Sequence, residues 1–252
     1  MNLFNNTGYG VRVFNAATIN QPVDIYLDDE LVIRGLNYRN ASNYLPLMNN
    51  HYNIKIYNSN TGELLYNQTI NIDSNKFITL STISESGKLD LIVLEDYTQN
   101  QRNHINQSVN DFIVKAIDRY GSDQTGLIKA FIVDEDDLGT IKGNNNQSLI
   151  PERSNNRAFI RVVHLSSNTP PVDTTLPDET ILFVDTKYKQ VTDYKQTSIA
   201  TNTLQLRATG TNQVLLTVPN LSLMPNKYYT LYVIGINNGI PRLEGILLRD
   251  GL

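Results

Sequence analysis

The chain has 252 residues, and its 21 Lys plus Arg against 25 Asp plus Glu leave a formal net charge of −4, with no basic surplus to hold a phosphate backbone. Cysteine is absent, which excludes disulfides, thiolate metal sites and cysteine nucleophiles. Charged residues make up only 18%, too few for a coiled coil or a charge-rich disordered chain, and the 32 Asn exceed all acids together, as suits strands joined by turns.

Residues 1–10 (MNLFNNTGYG) carry neither a basic residue nor an apolar run. They lack the pattern of a secretory signal, and the apolar stretches elsewhere are far too short to span a bilayer. This segment is too polar to form a core and suits an added strand at the edge of another copy. From there the apolar residues step by two: Val11 and Val13, then Val23, Ile25 and Leu27, then Leu31 and Ile33, then Tyr52, Ile54 and Ile56. That is the period of a half-buried strand. Asp28-Asp29, Asn49-Asn50 and residues 58–62 supply turn chemistry between the runs. Short strands at such spacing predict a sandwich of two antiparallel sheets over residues 1–97, immunoglobulin-like or prealbumin-like.

Residues 98–156 behave differently. Ser108 with Asp111 opens a run in which Val109, Phe112, Ile113, Ala116, Ile117 and Tyr120 recur at three and four, and Gly121 closes it. This predicts one short helix over 108–120, packed by its apolar stripe against a sandwich, because an isolated helix of that length is marginal in water. A strand is expected over 127–133, and residues 143–156 read as a polar link.

The pattern then begins again. Val11-Arg12-Val13-Phe14 is answered by Ile160-Arg161-Val162-Val163, and Pro22-Val23-Asp24 by Pro171-Val172-Asp173, both 149 residues later. Tyr38 matches Tyr188, Tyr44 matches Tyr194, residues 76–80 match 227–231, and 92–96 match 246–250. Residues 157–252 are therefore a second sandwich in tandem. The first copy is expected to be the more regular. The second should be distorted near 174–179, where Pro177 belongs at an edge or outside a strand.

Arg161-Val162-Val163-His164-Leu165-Ser166 followed by Pro170-Pro171-Val172-Asp173 resembles the opening of a bacterial domain family, the "domain of unknown function 4397". The first copy fits more loosely, with Asn15 in place of the histidine, and the two matches together leave the helical connector unexplained. The resemblance implies tandem β-domains on bacterial cell surfaces and carries no assigned chemistry.

His164, Ser166 and Asp173 offer the residue types of a nucleophilic triad, but no G-x-S-x-G elbow occurs, and a buried, hydrogen-bonded histidine at a strand end accounts for His164. Asp134-Glu135-Asp136-Asp137 supplies two positions of a calcium loop and then fails at Leu138, leaving a solvated acidic turn. Residues 121–126 (GSDQTG) have the outer glycines of a phosphate loop without its Lys, and they follow a helix instead of preceding one. Fourteen Tyr suit sugar stacking, yet no Trp is present and Tyr is equally at home in strands.

No residue is assigned a catalytic, cofactor-binding or metal-ligating role, and the chain is not expected to be an enzyme. The expected function is that of a structural, self-assembling protein of a bacterial surface layer, a spore coat or spore appendage among them, joined through strand edges. The alternative is a glycan- or protein-binding adhesive module. Expected partners are further copies of the chain, with envelope proteins or glycans beside them, but no nucleic acid and no membrane span. The expected location is the bacterial cell or spore surface, reached without a recognisable secretion signal, as when a mother cell deposits protein on its spore. The cytoplasm is the alternative.

Overall fold

In the computed structural model the described residues are 10–96 and 156–251, apart from 20, 47–50, 73–75 and 86. Among them the protein is all-β, with no helix. The first repeat supplies β1 (Gly10–Asn15), β2 (Val23–Leu27), β3 (Glu30–Leu36), β4 (His51–Asn58), β5 (Leu64–Asn71), β6 (Phe77–Glu85) and β7 (Lys88–Asp96). The second supplies β8 (Arg157–His164), β9 (Val172–Thr175), β10 (Ile181–Thr186), β11 (Lys195–Ser198), β12 (Leu204–Ala208), β13 (Val214–Val218), β14 (Tyr228–Ile234) and β15 (Glu244–Arg249). The expected helix over 108–120, the strand over 127–133 and residues 1–9 of the expected added strand 1–10 lie outside the described residues, while Gly10 is the first residue of β1.

Each repeat builds two sheets. Their orders are β3-β2-β4-β5 and β1-β6-β7 in the first, and β10-β9-β12-β13 and β11-β8-β14-β15 in the second. The alternation of the strands sends one side-chain set inward from each sheet. Val11, Val13 and Leu80 from one sheet thus meet Ile25, Ile54 and Ile56 from the other. In the second repeat Ile160, Val162 and Leu231 meet Val172, Leu204 and Leu206. Each such side chain, fully withdrawn from water, contributes about 1.5–3 kcal/mol.

Two features depart from the antiparallel, half-buried strands that the sequence predicts. First, β1 runs parallel to β6, and β8 parallel to β14. A parallel pair needs a long crossover, and here the whole of the opposite sheet is that crossover. Second, β1 and β14 are buried along their full length and β8 along all but its first residue. Their outer faces do not meet water, because the two repeats, which form one compact unit, pack there on each other. Phe14, Ala16, Ile83 and Leu94 of the first repeat join Val163, Leu165, Tyr232 and Ile234 of the second in that layer.

The aspartate of the repeated Pro-Val-Asp segment, Asp24 on β2 and Asp173 on β9, has a defined task in both repeats. Asp24 Oδ1 accepts hydrogen bonds from the Gly35 N–H at 2.7 Å and from Ser59 Oγ at 2.5 Å. Asp173 Oδ1 accepts them from the Asp185 N–H at 2.8 Å and Thr209 Oγ1 at 2.9 Å. Gly35 and Asp185 have positive φ, 64° and 50°, and each lies where the neighbouring edge strand slips register by one residue. The carboxylate thereby fastens a bulge. Register slips occur twice in each of these hairpins, so the first copy is not the more regular one there. Pro177 lies in the turn between β9 and β10, outside both strands, where its missing N–H breaks no ladder.

Candidate functional site

The deepest concentration of ionisable groups lies between the repeats. Arg12 on β1 and Arg161 on β8 alternate with core residues, so their side chains leave the opposite face, toward the other repeat. Arg12 donates from Nε to Thr79 Oγ1 at 2.7 Å within its own repeat. Across the interface it donates from Nη1 to the Arg249 carbonyl at 2.6 Å and from Nη2 to Asp250 Oδ1 at 2.7 Å. Arg161 mirrors it, donating to Thr230 Oγ1 at 2.8 Å, to the Glu95 carbonyl at 2.7 Å and to Asp96 Oδ1 at 2.7 Å. Each repeat thus gives its arginine to the other and receives one in return, the reciprocity of a two-fold interface.

Tyrosines and threonines complete the second oxygens. Tyr44 donates to Asp96 Oδ2 at 2.7 Å and Tyr194 to Asp250 Oδ2 at 2.6 Å, while the Thr79 and Thr230 hydroxyls donate to the same two oxygens. The guanidinium of Arg12 also lies over the Tyr44 ring, 4.8 Å from its centroid, and that of Arg161 lies 4.6 Å from the Tyr194 centroid. All four charged side chains are nearly or wholly withdrawn from water. Such burial is tolerable because charge is balanced, two against two, and almost every polar atom is paired. Burial, reinforced by the neighbouring Asp250 carboxylate, pushes Asp96 up to about 6, against the pull of Arg12 and Arg161. Burial likewise raises the Tyr44 and Tyr194 hydroxyls well above their ordinary range, so both stay protonated donors. The Tyr232 ring packs on Phe14 with centroids 4.5 Å apart, but its buried hydroxyl, like those of Ser81, Tyr38 and Tyr188, has no partner among the described residues.

The rim repeats the exchange. Arg39 pairs with Glu244 at 2.7 Å, and Lys189, which follows the matching Tyr188, reaches Glu85 at 2.5 Å and Asp90 at 3.7 Å. These rim pairs are exposed and contribute little to stability, about 0–1 kcal/mol each.

The residues nominated for chemistry do not converge. His164 Nδ1 accepts the Ser166 N–H at 3.3 Å, and its Nε2 lies 3.3 Å from the Pro170 carbonyl. The Ser166 hydroxyl turns elsewhere, to Thr169 Oγ1 at 2.6 Å and the Gly235 carbonyl at 2.7 Å. Asp173 is engaged at its bulge. His51 on β4 pairs with Asn71 across the strand ladder. His104, residues 121–126 and the acidic run 134–137 lie outside the described residues. Among the described residues no three His, Asp or Glu side chains group as a metal site would require, and no helix is long and apolar enough to cross a membrane.

The residues that build the interface and the bulges are those of the repeated motif, and a family model covers both stretches. The "Domain of unknown function (DUF4397)" matches residues 9–107 and 158–250. The chain belongs to the DUF4397 family. No curated protein matches it. In this DUF4397 protein the motif has a structural account: Arg161 reaches the other repeat, His164 ties down the strand end, and Asp173 holds the bulge.

In the sequence Arg12, Arg161, Asp96 and Asp250 stand out only as landmarks of the duplication. A signal for their role was present. An arginine at one alternate position of an otherwise apolar strand must be paired if that face is buried, and each copy closes on an aspartate at the same place.

Proposed function

We propose that this DUF4397 protein is a non-catalytic building block of a bacterial surface layer, such as a spore coat or spore appendage, that joins further copies through strand edges. The observation that carries this reading is the sheet β10-β9-β12-β13. Both of its edges present exposed aliphatic side chains, Ile181 (55% exposed) and Val184 (64%) on β10, and Val214 (41%) on β13. Unpaired backbone groups beside such side chains favour strand addition. Pairing β10 of one copy with β13 of the next is a head-to-tail contact that need not close, and it would continue the sheet from chain to chain. The reciprocal arginine cluster suits the same role, since it couples the two sandwiches into one rigid part. In each repeat two sheets share one core and the first strand lies parallel to a late one, which supports an immunoglobulin-like or prealbumin-like assignment. The location proposed is the outer surface of the cell or spore.

The test is assembly. Light scattering and electron microscopy of the concentrated protein should reveal extended arrays, and Val184→Lys on the edge strand should abolish them. A monodisperse monomer at every concentration, together with absence of the chain from purified spores and envelopes, rejects the reading.

A further inference from the structure

The outer face of the sheet β3-β2-β4-β5 holds a cavity of about 330 Å³ lined by Asp24, Tyr26, Asp29, Lys55, Tyr57 and Ser59, with Asn58 and Gly62 closing one end. The strand register creates it. Tyr26 on β2 stands opposite Lys55 on β4, and Asp24 stands opposite Tyr57, so two tyrosines and two charged residues share one outward patch. The Tyr26 and Tyr57 rings meet edge to face with centroids 5.2 Å apart. Neither tyrosine hydroxyl has a hydrogen-bond partner among the described residues, nor does Asp24 Oδ2, whereas Asp24 Oδ1 is taken by Gly35 and Ser59. Lys55 is paired with Asp29 at the rim.

The sister repeat supplies the comparison. There the same register places Thr175 opposite Gln205 and Asp173 opposite Arg207. Arg207 lies across the patch and closes it, donating to Thr175 Oγ1 at 3.3 Å, Gln205 Oε1 at 2.9 Å, Glu179 Oε1 at 3.2 Å and the Asn212 carbonyl at 3.3 Å. One duplicated face is thus filled by its own side chains, while the other keeps aromatic surface and unengaged polar atoms.

We propose that this patch of the first repeat is a binding site for a neutral saccharide. Aromatic rings accept the apolar C–H face of a pyranose, and the phenol hydroxyls, Asp24 Oδ2 and the Lys55–Asp29 pair offer donors and acceptors to its hydroxyl rim. One lysine against two aspartates provides no excess positive charge for a phosphate or sulfate. The volume is at the lower end for small-molecule sites and accommodates one or two sugar rings. The site lies on a sheet face, so its occupation is independent of pairing at the strand edges.

The test is titration of the full chain with cellotriose, maltotriose, chitotriose and mannotriose in millimolar excess, following the assigned Tyr26 and Tyr57 ring signals by NMR. At least one probe should shift both rings. Its affinity should fall by roughly tenfold or more in the triple variant Tyr26→Thr, Lys55→Gln, Tyr57→Arg, which copies the sister repeat. The single variant Tyr57→Ala should weaken it as well, and serves if the triple variant does not fold. Silence of both rings with all four probes overturns the proposal, as does unchanged affinity in the folded variants. A response to tetramethylammonium alone would make the patch a cation site and overturn it equally.

Discussion

Asn15 and His164 occupy the same place in the two repeats and secure the same turn with different atoms. Asn15 Oδ1 accepts the N–H of Ala17, two residues on, at 3.3 Å, and His164 Nδ1 accepts that of Ser166 at the same distance. Asn15 adds bonds from Thr82 Oγ1 at 2.8 Å and to the Leu36 carbonyl at 2.9 Å. Burial holds the imidazole below its ordinary pKa of 6.5, so the folded chain keeps it neutral at pH values where the unfolded chain protonates it. Its contribution to stability is complete above about pH 6.5 and is lost as pH falls below that value. His164→Asn copies the first repeat and should remove this dependence. Urea midpoints at pH 8 and pH 5 check it: the midpoint of the variant should drop less than that of the parent, and parallel drops refute the assignment.

Asp96 imposes the opposite slope. Its folded pKa of about 6 lies above the ordinary 3.8, so the folded state takes up a proton between these values while the unfolded state does not. Stability from this group therefore rises as pH falls from about 6 to about 4. The His164→Asn background removes the opposing histidine contribution, and pH 4.5 stays above the 3.8 at which Asp173 and Asp178 begin to act. In that background the unfolding midpoint should be higher at pH 4.5 than at pH 7, and the Asp96 carboxyl carbon should titrate near pH 6 by NMR.

Arg12→Ala removes one donor fork and leaves Asp250 Oδ1 buried without its charged donor. It should cost about 3–5 kcal/mol, the range for breaking a buried pair. Arg161→Ala should cost a similar amount by removing the charged donor of Asp96 Oδ1. In a double-mutant cycle Arg12→Ala and Asp250→Ala should couple by about 0.5–3 kcal/mol. Additive losses would show that the pair does not hold the repeats together.

Tyr232→Phe deletes a wholly buried interface hydroxyl that has no partner among the described residues while keeping the ring on Phe14. An unsatisfied buried hydroxyl carries a desolvation cost of about 1–3 kcal/mol. Thermal unfolding should therefore show the variant to be as stable as the parent or more so. A clear loss would mean that the hydroxyl is hydrogen-bonded in solution.

Much of this architecture was legible because it is local. The period of two at Val23, Ile25 and Leu27 is a property of neighbours, and so are the turn residues Asp28 and Asp29 and the break at Pro177. The duplication was legible because Arg12 and Arg161 keep their company of apolar neighbours. What was hidden is non-local. That β1 lies beside β6 in parallel depends on how the whole intervening sheet folds over, and no short pattern encodes it. Val11 and Val13 correctly marked an inward face, but the other face, with Arg12 and Phe14, looked solvent-bound because its cover is the second repeat. Tyr26 and Tyr57 lie 31 positions apart and become a patch only through the β2–β4 register.

The exchange of arginines has a consequence for the timing of synthesis. Arg12 finds its acceptors on Arg249 and Asp250, 237 and 238 residues further along the chain. The first sandwich is complete at Asp96, and at about 5–20 residues per second a ribosome takes roughly 8–31 s to go from there to Asp250. From the completion of β7 onward the first sandwich has its own core but presents Arg12 without its two distant acceptors, Asp96 without its second guanidinium, and the uncovered Phe14 and Leu94. For that interval the nascent chain exposes a sticky, self-complementary face, and any neighbouring nascent copy at the same stage exposes its twin.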